Sequence, residues 1–119
     1  MMVNKGTLNG TTILKPETVR LMATSHLSES ITERSWLPSK GQLGFGIDFA
    51  VRVRPAATAE EHNGSMGEFF WDGAASTLFW VDPANELTAV LFVQLFPYDQ
   101  IGLHKKFRDA VYGEWREVE

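Results

Sequence analysis

Gly67-Glu68-Phe69-Phe70-Trp71-Asp72-Gly73-Ala74-Ala75-Ser76-Thr77-Leu78-Phe79-Trp80-Val81-Asp82-Pro83-Ala84-Asn85-Glu86-Leu87-Thr88-Ala89-Val90-Leu91-Phe92-Val93-Gln94 holds three apolar and aromatic runs parted by two sets of turn residues. Asp72-Gly73 separates the first run from the second, and Asp82-Pro83-Ala84-Asn85 the second from the third. Three β-rich runs split by tight turns predict an antiparallel meander. A sheet with an apolar face must bury it, so the flanking chain is expected to supply a second layer.

Upstream, Leu43 to Arg54 alternates, with Phe45, Ile47, Phe49 and Val51 on one side, and predicts a fourth strand. Pro16 and Glu17 open a helix running to about Ala23, since proline costs little in a first turn and an acid suits the positive helix end. Gly6 to Gly10 reads as a turn and Thr12 to Leu14 as a brief extended piece. Between Thr24 and Gln42 the chain is polar and irregular around Trp36, Leu37 and Pro38, a long connection of the kind that often borders a site. Downstream, Leu103, Phe107, Ala110, Val111 and Trp115 recur at helical steps, which predicts a C-terminal amphipathic helix with Lys105, Lys106, Arg108 and Glu114 outside its apolar face. The sum is an α+β fold, an antiparallel sheet of about four strands with a helix near each end. The run from Thr88 to Gln94 is apolar on both faces, so it is expected to lie centrally and to need cover on both sides.

The chain has 119 residues, 44% of them hydrophobic and 22% charged, which suits one folded domain rather than a disordered segment. A net charge of -4 with scattered cations speaks against a nucleic-acid groove. There are no cysteines, which excludes disulfides and thiolate metal sites. No apolar run is long enough to span a bilayer as a helix. The opening Met1-Met2-Val3-Asn4-Lys5-Gly6 does not read as a secretory signal, and the compartment, cytoplasmic or periplasmic, stays open.

Residues that could carry chemistry are sparse. His26, His62 and His104 stand far apart, which favours solvated side chains over a metal site, and no cofactor is expected. Asn63-Gly64-Ser65-Met66-Gly67 approaches a nucleophile elbow but has Asn in its first position and precedes a strand, so it reads as a structural turn. Asp48, Asp72, Asp82 and Asp99 offer carboxylates, of which Asp82 belongs to a turn signature and Asp99 to a loop. Trp71-Asp72-Gly73-Ala74 taken alone is a hairpin corner.

In linear order, Gly67-x-Phe69-x-Trp71-x-Gly73-Ala74-Ala75-x-Thr77-x-Phe79-x-Val81-Asp82-Pro83 and Leu87 to Gln94 resemble the C-terminal part of the serine β-lactamase-related hydrolases. That family includes class C β-lactamases, penicillin-binding-protein-like peptidases and family VIII carboxylesterases. Leu8-Asn9-Gly10, Ile13 to Val19 and Gly44-Phe45-Gly46 extend the resemblance over nearly the whole chain. It implies that Trp71-Asp72-Gly73 occupies the place of the third motif, a Lys-Thr-Gly element whose first residue is Trp or His in esterase-like members. The Ala74 N–H would then be one oxyanion-hole donor. Trp71 in place of lysine removes the cation that would hold a β-lactam carboxylate, which points to a neutral ester or amide as the substrate of the complete protein.

The Ser-x-x-Lys nucleophile motif and the Tyr-x-Asn motif are both lacking. Thr12-Ile13-Leu14-Lys15 and Tyr98-Asp99-Gln100 approach them but lie outside the family's positions. The chain is therefore expected to be a single partial domain, residues 1–119, with no catalytic residue of its own. Trp71, Asp72, Gly73 and Ala74 would form one wall of a site whose nucleophile lies in an N-terminal segment. The alternative is a non-catalytic, independently folded and oligomeric module derived from the family. A carboxylate facing the site would oppose an oxyanion, so alternation with Trp71 is expected to turn Asp72 away.

Overall fold

In the computed structural model, residues 1–34 and 37–117 are described. Trp36, the expected aromatic anchor of the long connection, lies outside them. Two strands, β1 (Thr7–Leu8) and β2 (Thr11–Thr12), form a small hairpin ahead of helix α1 (Pro16–Met22). A 3₁₀ turn (Pro38–Lys40) leads into β3 (Leu43–Phe45) and β4 (Ala50–Arg52). The meander follows as β5 (Phe69–Asp72), β6 (Leu78–Asp82) and β7 (Leu87–Leu91), and α2 (Leu103–Tyr112) comes last. Strands β3 to β7 make one antiparallel sheet in sequence order. The architecture is α+β, as the residue pattern implies.

The expected strand from Leu43 to Arg54 is two strands and a turn. Asp48 takes a left-handed conformation (φ 67°), and the Gly46 N–H donates to Phe49 O at 2.8 Å, closing the hairpin. Gly46 also lets the chain press against α1, since a Cβ there would stand 1.9 Å from Met22 O. The apolar alternation through Ile47 continues across the bend, where that side chain is exposed.

Each face of the sheet has its own core. Leu43, Ala50, Phe70, Leu78, Trp80 and Ala89 pack with Phe107 and Tyr112 of α2. On the other face Val51, Phe69 and Val81 pack with Met2, Val3 and Ala23. The short α1 side covers only part of that second face. β7 is an edge strand rather than a central one, with Val90 and Phe92 exposed (47% and 87%). Apolarity on both faces marks a run that needs cover. It does not say that this chain provides it.

The inward face of α2 also departs from the expected stripe. Ala110 and Val111 are exposed, whereas His104 and Arg108 are buried. Arg108 reaches the sheet because a partner waits there. Its Nη1 donates to Glu68 Oε1 at 2.7 Å, and Arg52 Nε donates to the same oxygen at 3.0 Å. The guanidinium also stacks over Trp80, 4.3 Å from the ring centroid. Burial lowers the Arg108 pKa and the Glu68 charge works against that drop. One carboxylate thus ties β4, the entry to β5 and α2 together.

Removing one member of a buried ion network leaves the others uncompensated, which costs roughly 3–5 kcal/mol. Glu68→Leu is expected to lower the unfolding free energy in urea by about that amount. A loss no larger than that of an exposed substitution such as Glu60→Leu would contradict this.

Candidate functional site: the corner after β5

Alternation along β5 separates Trp71 from Asp72. Trp71 stands out on the face of Phe69, 45% exposed, and meets Phe45 edge to face at 5.6 Å. It divides two hollows. One, of about 380 Å³, is lined by Leu27, Leu43, Phe45, Ala50, Phe70 and Trp71, with Glu33, Arg34, Lys40 and Asp72 supplying its polar groups. The other, of about 240 Å³, lies between Trp71, Gly73, Thr77, Phe79, Val90 and Phe92.

The Asp72 side chain turns under the sheet instead, where it is only 6% exposed. Lys40 Nζ pairs with Asp72 Oδ2, and the Tyr98 hydroxyl donates to the same oxygen. His104 Nδ1 stands 3.9 Å away. The His104 Nε2–H donates to Ser76 O at 2.7 Å; a carbonyl can only accept, so the proton sits on Nε2. Burial raises the Tyr98 pKa, and the bond to Asp72 raises it further. Desolvation lowers that of Lys40, with Asp72 opposing the drop.

Gly73 to Thr77 forms a closed turn. The Gly73 N–H donates to Thr77 O at 3.1 Å and the Ser76 N–H to Gly73 O at 2.9 Å, with Ser76 at a positive φ of 69°. Ser76 Oγ donates to Leu95 O and accepts from the Asp99 N–H, both at 2.8 Å. The Leu95 N–H donates to Ala75 O at 3.0 Å. Ala74 is exposed, and its N–H has no protein acceptor among the described residues. The Gly73 and Ser76 bonds close the turn without using this amide.

The four residues of the suspected motif therefore share one corner, and the first three of them line the smaller hollow together. Trp71 and Asp72 also border the larger hollow, while Ala74, exposed on the turn, lines neither. Of the two weaker motif approaches, Thr12 ends the N-terminal hairpin away from this corner, whereas Tyr98 joins the Asp72 network. Ser65 is structural, its Oγ donating to buried Asp82 at 2.8 Å. Asp82 also accepts from Asn85 and Tyr112; burial pushes its pKa up, and these three hydrogen bonds hold it below the ordinary value.

Two of the three histidines contradict the solvated reading. His62 and His104 are buried with ring centroids 6.3 Å apart. Sequence spacing offers no hint of this, because the fold alone brings the loop before β5 onto α2. Among the described residues no cluster of His, Asp or Glu could hold a metal ion. No described helix is long and apolar enough to cross a membrane.

Comparison with solved structures matches this arrangement. Simvastatin synthase (LovD) from Aspergillus terreus superposes with a TM-score of 0.70 at 18% identity, over 98% of this chain and 32% of that one. EstCE1, a hydrolase with promiscuous acyltransferase activity, gives 0.65 at 24% identity, over 94% and 27%. The chain has the fold of a C-terminal portion of the β-lactamase-like serine hydrolases. Identity below a quarter fixes the fold and nothing finer. Protein Rv1367c of Mycobacterium tuberculosis is 34% identical over 100 residues, which is 82% of this chain and 25% of that protein. The chain thus spans about a quarter of the length of the curated relatives it matches. No protein-family profile matches it.

Burial lowers the pKa of His62 from 6.5 to about 3, with Arg108, Lys40 and His104 adding to the effect. The unfolded chain therefore binds a proton between those values that the folded one refuses. Stability rises with pH across that window and is lost as pH falls through it, by on the order of 4 kcal/mol. His62→Leu is expected to flatten the urea midpoint between pH 6.5 and pH 3 relative to the native chain. An unchanged slope would place the acid sensitivity elsewhere.

Proposed function

We propose that this chain supplies one wall of an acyl-transfer site that hydrolyses a neutral ester or amide. Trp71, Asp72, Gly73 and Ala74 form its third-motif corner, and the nucleophile comes from a segment outside these residues. The observation that carries this reading is the Ala74 amide, exposed and without a protein acceptor among the described residues, on a turn closed by the Gly73 and Ser76 bonds. An oxyanion donor needs that preorganisation, because its dipole must already point at the developing charge. The larger hollow, which Trp71 and Asp72 border, is mostly apolar, with Trp71 where a carboxylate-binding lysine would stand in β-lactam-recognising relatives. That favours an uncharged substrate group.

The test replaces the matching segment of EstCE1 by residues 1–119 and follows 4-nitrophenyl butyrate hydrolysis. The chimera is expected to show saturable turnover and the isolated chain none. Ala74→Pro, which deletes the donor, is expected to lower the chimera's kcat roughly 100- to 1000-fold. Saturable hydrolysis by the isolated chain, or a folded chimera indifferent to Ala74→Pro, would contradict the reading.

A second reading, self-association, rests on β7. Its edge runs from Leu87 to Gln94 without a charge or a proline, so nothing blocks antiparallel pairing with a second copy. Sedimentation at micromolar concentration is expected to give a dimer that Val90→Lys dissociates. A native monomer would rule the dimer out.

A further inference from the structure

An acid only two residues before the proposed donor is an awkward neighbour for an oxyanion. The structure answers this with a cation from a distant part of the chain. Lys40, at the end of the 3₁₀ turn, sits directly on Asp72 Oδ2, and both side chains are nearly buried, at 4% and 6% exposure. Water screens such a pair poorly, so its net charge governs the local potential. Among the described residues the other charged or titratable groups around it are Tyr98 and Asp99 from the loop before α2, His104 and Arg108 from α2 itself, His62 from the loop before β5, and Glu33 and Arg34, which line the same hollow. Arg108 is committed to Glu68, and His104 to Ser76 O. Asp99 spends its carboxylate on the first turn of α2, where Oδ1 accepts the His104 N–H at 3.0 Å.

Resting on the oxyanion reading above, we propose that Lys40 is a positioning residue. It neutralises Asp72 beneath the sheet, so that the Ala74 amide can accept negative charge on the other side. Tyr98 fixes the same carboxylate oxygen and keeps it from swinging outward. The ion pair is then part of the site's electrostatics and not only a staple between the 3₁₀ turn and β5.

Hydroxide-catalysed hydrogen exchange at Ala74 tests this in the full 119-residue chain. Removing that proton leaves an imidate anion, so the rate at an exposed, unpartnered N–H reads the potential an oxyanion would feel. Lys40→Met, which leaves the Asp72 charge without its cation, is expected to slow Ala74 exchange about fivefold, and Asp72→Asn, which leaves the cation alone, to speed it about fivefold. Lys40→Met/Asp72→Asn should return it to within about twofold of the native rate. The opposite signs are the signature. Loosening of the turn would instead quicken the bonded amides of Gly73 and Ser76 in both single variants. Single variants that shift Ala74 in the same direction, or not at all, would overturn the proposal. Should Lys40→Met fail to fold, the direction in Asp72→Asn and its reversal in the double variant decide it. The measurement needs no nucleophile, so it stands or falls separately from the activity of the EstCE1 chimera.

Discussion

The pleat of β5 sends Trp71 and Asp72 to opposite faces, and the corner depends on what happens to the acid that results. Left free, Asp72 could swing toward the turn and set its charge beside the Ala74 amide. Held by Lys40 and Tyr98, it becomes a buried anchor that ties the end of β5 to two segments distant in sequence. His104 extends the hold to Ser76, and Asp99 and Leu95 complete it. The turn is fixed from beneath while its outer amide stays open.

A second polar layer supports the first. Glu68 collects Arg52 and Arg108 on one oxygen, and Arg108 lies against both Phe70 and Trp80. This explains why α2 presents His104 and Arg108 to the sheet where an apolar stripe would place leucine-like residues. Buried charges cost desolvation and are tolerated here because each has a partner in place. The apolar clusters on the two faces supply cohesion, and the polar groups fix the position of α2 against β5. A shift of that helix would move His104, and with it the carbonyl of Ser76.

Much of this fold was legible in the residues. Asp72-Gly73 and Asp82 to Asn85 marked both turns of the meander and Pro16 opened the first helix, whereas the C-terminal helix, expected to reach Trp115, ends at Tyr112 before Gly113. The resemblance to β-lactamase-related hydrolases pointed to the same architecture. Local pattern failed where long-range contacts decide. Asp48 bends the chain at a left-handed φ that period-two alternation does not reveal. His62 and His104 look solvated until the loop before β5 meets α2. Lys40, Tyr98 and His104 were missed as site residues because 32, 26 and 28 positions separate them from the groups they hold. The run from Thr88 to Gln94 was expected to lie centrally with cover on both faces, but β7 lies at the sheet edge with Val90 and Phe92 bare.

The fold places this chain beside enzymes more than three times the length that it matches, LovD and EstCE1 among them. What it contributes to such a site, in the account above, is an oriented amide and the charge balance behind it. The crystal structure of the EstCE1 chimera, trapped with a phosphonate ester on its nucleophile, tests this most directly. The account predicts the phosphonyl oxygen within about 3 Å of the Ala74 nitrogen, with Asp72 still beneath the sheet on Lys40. A phosphonyl oxygen held by other donors, with the Ala74 N–H turned away from it, would contradict the account.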